Sequence, residues 1–415
     1  MVSLKKNIFY SGLLTTANYI FPMITYPYVS RVLGVANVGV CNFIDSIINY
    51  FLIFSALGIG IVGIREIARN KDCKDDLQEV FSKLFTINTI STTIALVVLL
   101  VSMYTIPRLE DNYELMWIGV LKLVFNYLLI EWFFKGLEDF KYVTNRAIIV
   151  RTIYVFSVFV FIRDASDVET YYFLTSATIA VNAIINVLYA RKFVKFKLCF
   201  FSLRYYTKSL CILGVYSILT SFYTTFNVAF LGFVTNDVQV GFYTTSTKIH
   251  GIILMMFTAV TSTLMPRMAS ILEKKQYGQY EKLIKKSVCV LLLFSIPCIV
   301  IIELFAPVII KVIAGLGYEG AILPLRIIAP LVLIIGLEQV LITQSLMPMG
   351  KDKAVLINSI IGAFVGIIGN IILVPYLESV GSAIVWLISE IVVMFSALYF
   401  FKKEWKKMNT DLFID

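Results

Sequence analysis

Gly241, Thr244, Thr245, Lys248 and Gly251 recur at steps of three and four residues, so as a helix they share one small, polar face that carries a single ammonium group. Leu254, Met255, Met256, Phe257 and Val260 continue the stretch as apolar helix toward Pro266. Lys248 lies about seven residues below the helix entrance, roughly 10 Å deep at the helical rise, and a charge at that depth in a membrane needs a partner or a wet cavity. Lys122, with Asn126 one turn on, and Arg326 are the other bases inside apolar segments. Three bases from different segments at similar depth can form one positive lining. Such a lining suits a phosphate or diphosphate group, which Arg grips with two parallel bonds while Lys acts as a point charge. Arg31, near a segment end, is the fourth candidate base. Each lysine can instead snorkel to the interface or pair with one carboxylate.

The acids and amides around these bases leave several roles open. Asp45, Glu338 and Glu390 sit within apolar segments, where they can pair with bases, couple an ion or brace helices. Asn42, Asp45 and Asn49 form a polar stripe, and Asn18 and Thr244 extend the candidate cavity lining. Any single serine or threonine in such a segment serves more often as glue between helices. His250, two residues from Lys248, points away from it along the helix.

These residues must be held by membrane helices. Of 415 residues 59% are hydrophobic and 15% charged, and the mean hydropathy is +0.85, far from soluble domains. Twelve spans are expected, near 8–29, 38–63, 83–106, 115–134, 145–162, 169–190, 209–233, 240–265, 287–310, 321–347, 353–375 and 379–401. With the N-terminus inside, 29 of the 36 lysines and arginines face the cytoplasm, which sets both termini on that side. The net charge of +9 is spread between apolar segments, a distribution that argues against nucleic acid. The six cysteines form no CxxC and no paired exterior set, so neither a metal site nor a disulfide framework is indicated. No GxxxxGK[ST] is present, so ATP hydrolysis by this chain is not expected, and no cofactor is implied. The exterior connections are too short for a catalytic domain. The first apolar run has no clear cleavage site and reads as a retained helix.

An ungapped offset of 202 residues lays Lys6 on Lys208, Gly12 on Gly214, Val32 on Val234, Val38 on Val240, Gly39 on Gly241 and Ile47 on Ile249. This divides the spans six and six, giving halves 1–206 and 207–415 of like orientation about an axis along the membrane normal. The expected fold is an all-α membrane protein of two pseudo-twofold-related six-helix lobes around a central cavity. Helix 1 offers it Thr15, Asn18, Pro22 and Thr25, and helix 7 offers Ser217, Thr220, Ser221 and Thr224. Pro22, Pro27, Pro297, Pro324 and Pro330 are expected to interrupt helices 1, 9 and 10, and Gly362 and Gly366 to bring two helices close.

The run LKKNIFYSGLLTTANYIFPMITYPYVSRVLGVANVGVCNFIDSIINYF, followed by ALGIGIVGIREIARNK, resembles the opening helices of Wzx-type O-antigen and capsule repeat-unit flippases. EWFFKGLEDFKYVTNR and LMPMGKDKAVLINSIIGAFVGIIGNIILVPYLESVGSAI are similar to the same family. The resemblance implies a V-shaped, two-lobe fold. It further implies translocation of an undecaprenyl-diphosphate-linked oligosaccharide across the bacterial cytoplasmic membrane, without enzymatic activity. Membrane lipids, a polysaccharide polymerase and a chain-length regulator are the partners it suggests. The two extra spans of lipid II flippases are missing. A cation-coupled multidrug extruder is the alternative within the superfamily, and a membrane glycan polymerase the alternative outside it.

Overall fold

The computed structural model describes the chain apart from residues 1–3, 202–205, 208–209, 212, 216–217, 219–224 and 411–415. Among the described residues every regular element is helical. The first compact unit, Met1–Ser221, holds α1 (Leu4–Ala56), α2 (Ile59–Asn70), α3 (Lys74–Thr105), α4 (Pro107–Glu110), α5 (Tyr113–Tyr127), α6 (Glu131–Gly136), α7 (Phe140–Phe161) and α8 (Val168–Ala190). The second, Phe222–Asp415, holds α9 (Asn227–Val234), α10 (Asp237–Glu273), α11 (Tyr277–Ile313), α12 (Ile322–Ile328), α13 (Leu331–Leu341) and α14 (Asp352–Thr410). The predicted seventh span falls partly outside the described residues, and Ser217, Thr220, Ser221 and Thr224 lie outside them.

Among the described residues, eight helical segments are long and apolar enough to cross a membrane. The two longest, Phe9–Asn70 with 62 residues and Asp352–Met408 with 57, far exceed the about 20 that one passage needs. Each contains a break. Gly34 (φ 76, ψ 171) adopts a conformation open to a residue without Cβ, and Glu378 (φ 50, ψ −126) interrupts α14 despite its side chain. The prolines act less uniformly than expected: α1 runs on through Pro22 and Pro27 and α11 through Pro297, whereas the predicted tenth span breaks at Pro330, between α12 and α13. Neighbouring helices and local adjustment can absorb a lost backbone bond inside a bilayer, so proline alone does not decide where a span bends.

The outer surface is apolar. Ile149, Ile153, Phe156 and Val160 form an exposed stripe on α7, and Leu293, Ile296, Val300 and Leu304 form another on α11, as lipid contact requires. Several buried hydroxyls bond within their own helices: Thr86 donates to the Ser82 carbonyl at 2.7 Å, Thr245 to Gly241 at 2.6 Å and Ser46 to Phe43 at 2.6 Å. Many serines and threonines of the predicted polar faces are therefore spent on their own helices.

The first unit has an aromatic core where α2, α3 and α6 meet. The rings of Phe81 and Trp132 stack at 5.7 Å, and Phe133 meets Phe81 edge-on at 5.1 Å. Gly136 allows α6 to approach α2, because a Cβ there would lie 2.6 Å from Ile67 Cβ and 3.0 Å from the Ile64 carbonyl oxygen. Gly136→Val is expected to force these helices apart at a cost of about 1–3 kcal/mol. Thermal unfolding of the purified variant checks this, and an unchanged transition would refute the close-packing role.

Candidate functional site

The most direct union of predicted site residues lies in the first unit. Asp45 on α1 and Lys122 on α5 form an ion pair, and the Tyr172 hydroxyl of α8 donates to the same carboxylate oxygen at 3.3 Å. Gly119, one turn before Lys122, lets α5 press against α1, because a Cβ there would lie 2.6 Å from Ile48 Cδ1. Lys122 is buried, but the Asp45 side chain remains 37% exposed, so the pair is open on its acidic side. Of the other predicted lining residues in this unit, Asn18 and Arg31 are exposed while Asn42 and Asn49 are half-buried. The Asn42 amide donates to the Val38 carbonyl at 2.7 Å.

The remaining predicted bases belong to the second unit. Lys248 is exposed on α10, although Thr244, Thr245, Ser246 and His250 around it are buried. Arg326 on α12 is half-buried, with a Nε that has no hydrogen-bond partner among the described residues. Thr244 donates to the Val240 carbonyl at 2.8 Å.

Glu338 on α13 and Glu390 on α14 are buried neighbours, and Glu338 Oε1 has no hydrogen-bond partner among the described residues. The Trp386 indole donates to Glu390 at 2.9 Å, and the His250 ring lies edge-on to Trp386 at 5.2 Å. Nearby, Asn370 donates to Asn227 at 2.6 Å and Asn227 donates to the Tyr243 hydroxyl at 3.2 Å. Sequence reasoning missed these amide and indole partners, because they come from α9, α10 and two arms of α14 that only the fold brings together.

A third cluster was also missed. Glu131, at the start of α6, accepts from Arg146 of α7 and from Lys135 at 3.0 Å. Arg146 donates with its other nitrogen to Asn186 of α8, which also accepts from the Tyr142 hydroxyl at 3.0 Å and donates to the Leu129 carbonyl. Glu131 and Arg146 lie near the ends of the expected spans 115–134 and 145–162, where a charge ordinarily meets the interface. Only the Glu131–Lys135 pair was legible, from the four-residue spacing within EWFFKG; Arg146 and Asn186 are brought to it by the fold.

Long apolar helices in two compact units, with buried ion pairs and amide networks between spans, define a multi-pass membrane protein. The fold resembles the lipid II flippase MurJ in its inward closed conformation, with a TM-score of 0.77 at 15% identity over 98% of this chain and 91% of that one. It also resembles an inward-facing multidrug resistance MATE family transporter, with a TM-score of 0.72 at 13% identity over 94% and 95%. Residues 4–272 match the family described as "Polysaccharide biosynthesis protein", and the chain belongs to that family. A protein of Escherichia coli (strain K12) described as an O-antigen transporter is 26% identical over 96% of this chain and 97% of its own. A flippase of low-salt glycan biosynthesis from Haloferax volcanii is 27% identical over 41% and 36%. These relatives are transporters and flippases, not enzymes.

Proposed function

We propose that the protein moves an undecaprenyl-diphosphate-linked oligosaccharide across the cytoplasmic membrane, for assembly of a surface polysaccharide such as O-antigen or capsule. The observation that carries this reading is the near end-to-end match to the Escherichia coli O-antigen transporter. The lipid II flippase fold supports it, because that protein also handles a lipid-borne headgroup. In this reading the chain crosses the membrane twelve times as two like-oriented six-helix halves, 1–206 and 207–415, with both termini cytoplasmic and a cavity exposed alternately to the two sides. Lys122, Lys248, Arg326 and Arg31 draw in the diphosphate. Asn18, Asn42, Asn49 and Thr244 line the polar path, Asp45 holds Lys122 until substrate arrives, and Glu338 with Glu390 couples an ion. A polymerase and a chain-length regulator take the product on the outer side.

The test is export of surface glycan by a host that lacks its own transporter and makes the matching lipid-linked repeat unit. Lys248→Ala and Arg326→Ala are each expected to lower the export rate about tenfold or more, since a hydrogen bond to a charged group contributes about 1.5–3 kcal/mol, and to leave membrane levels unchanged. Normal export by both variants at native expression would refute the cationic lining. Export of cationic dyes in place of glycan would turn the reading to drug extrusion.

A further inference from the structure

The first unit contains a cavity of about 190 Å³ where two helix breaks face each other. One break lies between α1 and α2, at Leu57 (φ 40) and Gly58 (φ 73); the other lies between α5 and α6, at Ile130 (φ 34). A left-handed conformation is unusual for leucine and rarer still for β-branched isoleucine, so the surrounding fold imposes both breaks. The N-terminus of α2 has no side-chain cap, and Gly60 in its first turn lines the cavity.

Two buried polar groups of the lining are unused. Asn88 is 6% exposed and its Oδ1 has no partner among the described residues; Trp132 is 7% exposed and its Nε1–H has none either. An orphaned buried donor or acceptor costs about 1–3 kcal/mol, so a native fold keeps one where something else satisfies it. Asn126, Glu131 and Lys135 add further donors and acceptors to the same wall, and Glu131 is already balanced by Lys135 and Arg146.

We infer that this cavity is a subsite for one sugar ring of the lipid-linked glycan, an inference that rests on the function proposed above. Each hydroxyl of a hexose both donates and accepts, which matches a wall that alternates Asn88 Oδ1, the Trp132 indole N–H, Asn126 and a compensated Glu131–Lys135 pair. A diphosphate fits less well, because the Glu131 carboxylate stands in the wall. Ile59, Ile64 and Ile130 supply the apolar surface that the ring's C–H faces require.

Gly60→Leu gives the cleanest test, because a Cβ at Gly60 meets nothing within 4 Å and the longer side chain fills the cavity without displacing a neighbour. Asn88→Leu and Trp132→Phe remove the two orphaned groups at a modest expected cost in stability, since Asn88 Nδ2 also donates to the Tyr127 carbonyl at 3.5 Å and Trp132 stacks on Phe81. Equilibrium binding to the full-length protein in lipid vesicles is measured for undecaprenyl diphosphate and for the same lipid carrying one hexose. The native protein is expected to prefer the sugar-bearing lipid about tenfold, the sum of two ordinary hydrogen bonds; Asn88→Leu and Trp132→Phe should each keep about a threefold preference and Gly60→Leu none, with affinity for the bare lipid unchanged in all three. A native protein without the preference, or a Gly60→Leu variant that keeps it, overturns the subsite and leaves the proposed function standing. Failure of the folded native protein to bind either lipid removes the proposed function as well. Should Asn88→Leu or Trp132→Phe fold poorly, Gly60→Leu decides.

Discussion

Arg146→Ala is expected to destabilise the first unit by about 3–5 kcal/mol, the usual consequence of removing one member of a buried ion pair. The Arg146 side chain is only 3% exposed, and its two terminal nitrogens bind Glu131 and Asn186 in different directions. Alanine would leave Glu131 to Lys135 alone and would withdraw the guanidinium that lies 5.9 Å from the Tyr142 ring centre. Lys in its place keeps the charge but not the planar fork, so Arg146→Lys should fall between the two. The measurement is the melting temperature of the purified protein in one detergent, with a drop on the order of 10 °C for alanine. A transition within a degree or two of the native one would show that Glu131, Lys135 and Asn186 hold α6, α7 and α8 without it.

This network marks the limit of what hydropathy conveys. That the chain is built of apolar helices able to cross a membrane was legible, because apolar length alone decides whether a helix can cross and the residues that matter are contiguous. The break at Gly34 also has a local cause in a residue without a side chain, whereas the break at Glu378 has no local signal. Arg146 carries a positive charge near a span end, and the rule that places bases in the cytoplasm predicts exposure for it. Its burial depends on Glu131 and Asn186, which lie 15 and 40 positions away. Glu338 and Glu390 were legible as buried acids but not as neighbours, because Coulomb repulsion argues against placing two carboxylates together unless a proton is added. Lys248 shows the opposite difficulty: the spacing that puts it on a face with Thr244 and Thr245 is right, yet those two are buried and Lys248 is exposed. Helical periodicity gives direction around the axis. It does not say where along the helix a neighbour ends.

Lys122→Ala is expected to reduce glycan export by about tenfold or more while costing only about 1–2 kcal/mol of stability, because Asp45 stays partly open to its surroundings and keeps the Tyr172 hydroxyl. The loss by itself does not separate a base that binds diphosphate from one that merely neutralises Asp45. The double variant Lys122→Ala, Asp45→Ala does. If the lysine serves only to compensate the acid, removing both charges restores export along with stability, since the penalty of an isolated buried charge disappears. If the lysine receives an anion, stability returns and export does not. The second outcome is expected, because a diphosphate carries more negative charge than one carboxylate and can draw the ammonium from Asp45 once both are shielded from water. Lys122→Arg supplies the converse check, as a base that still reaches a phosphate should retain part of the export rate. Recovery of export in the double variant would remove Lys122 from the cationic lining and leave its pair with Asp45 as a brace between α1 and α5.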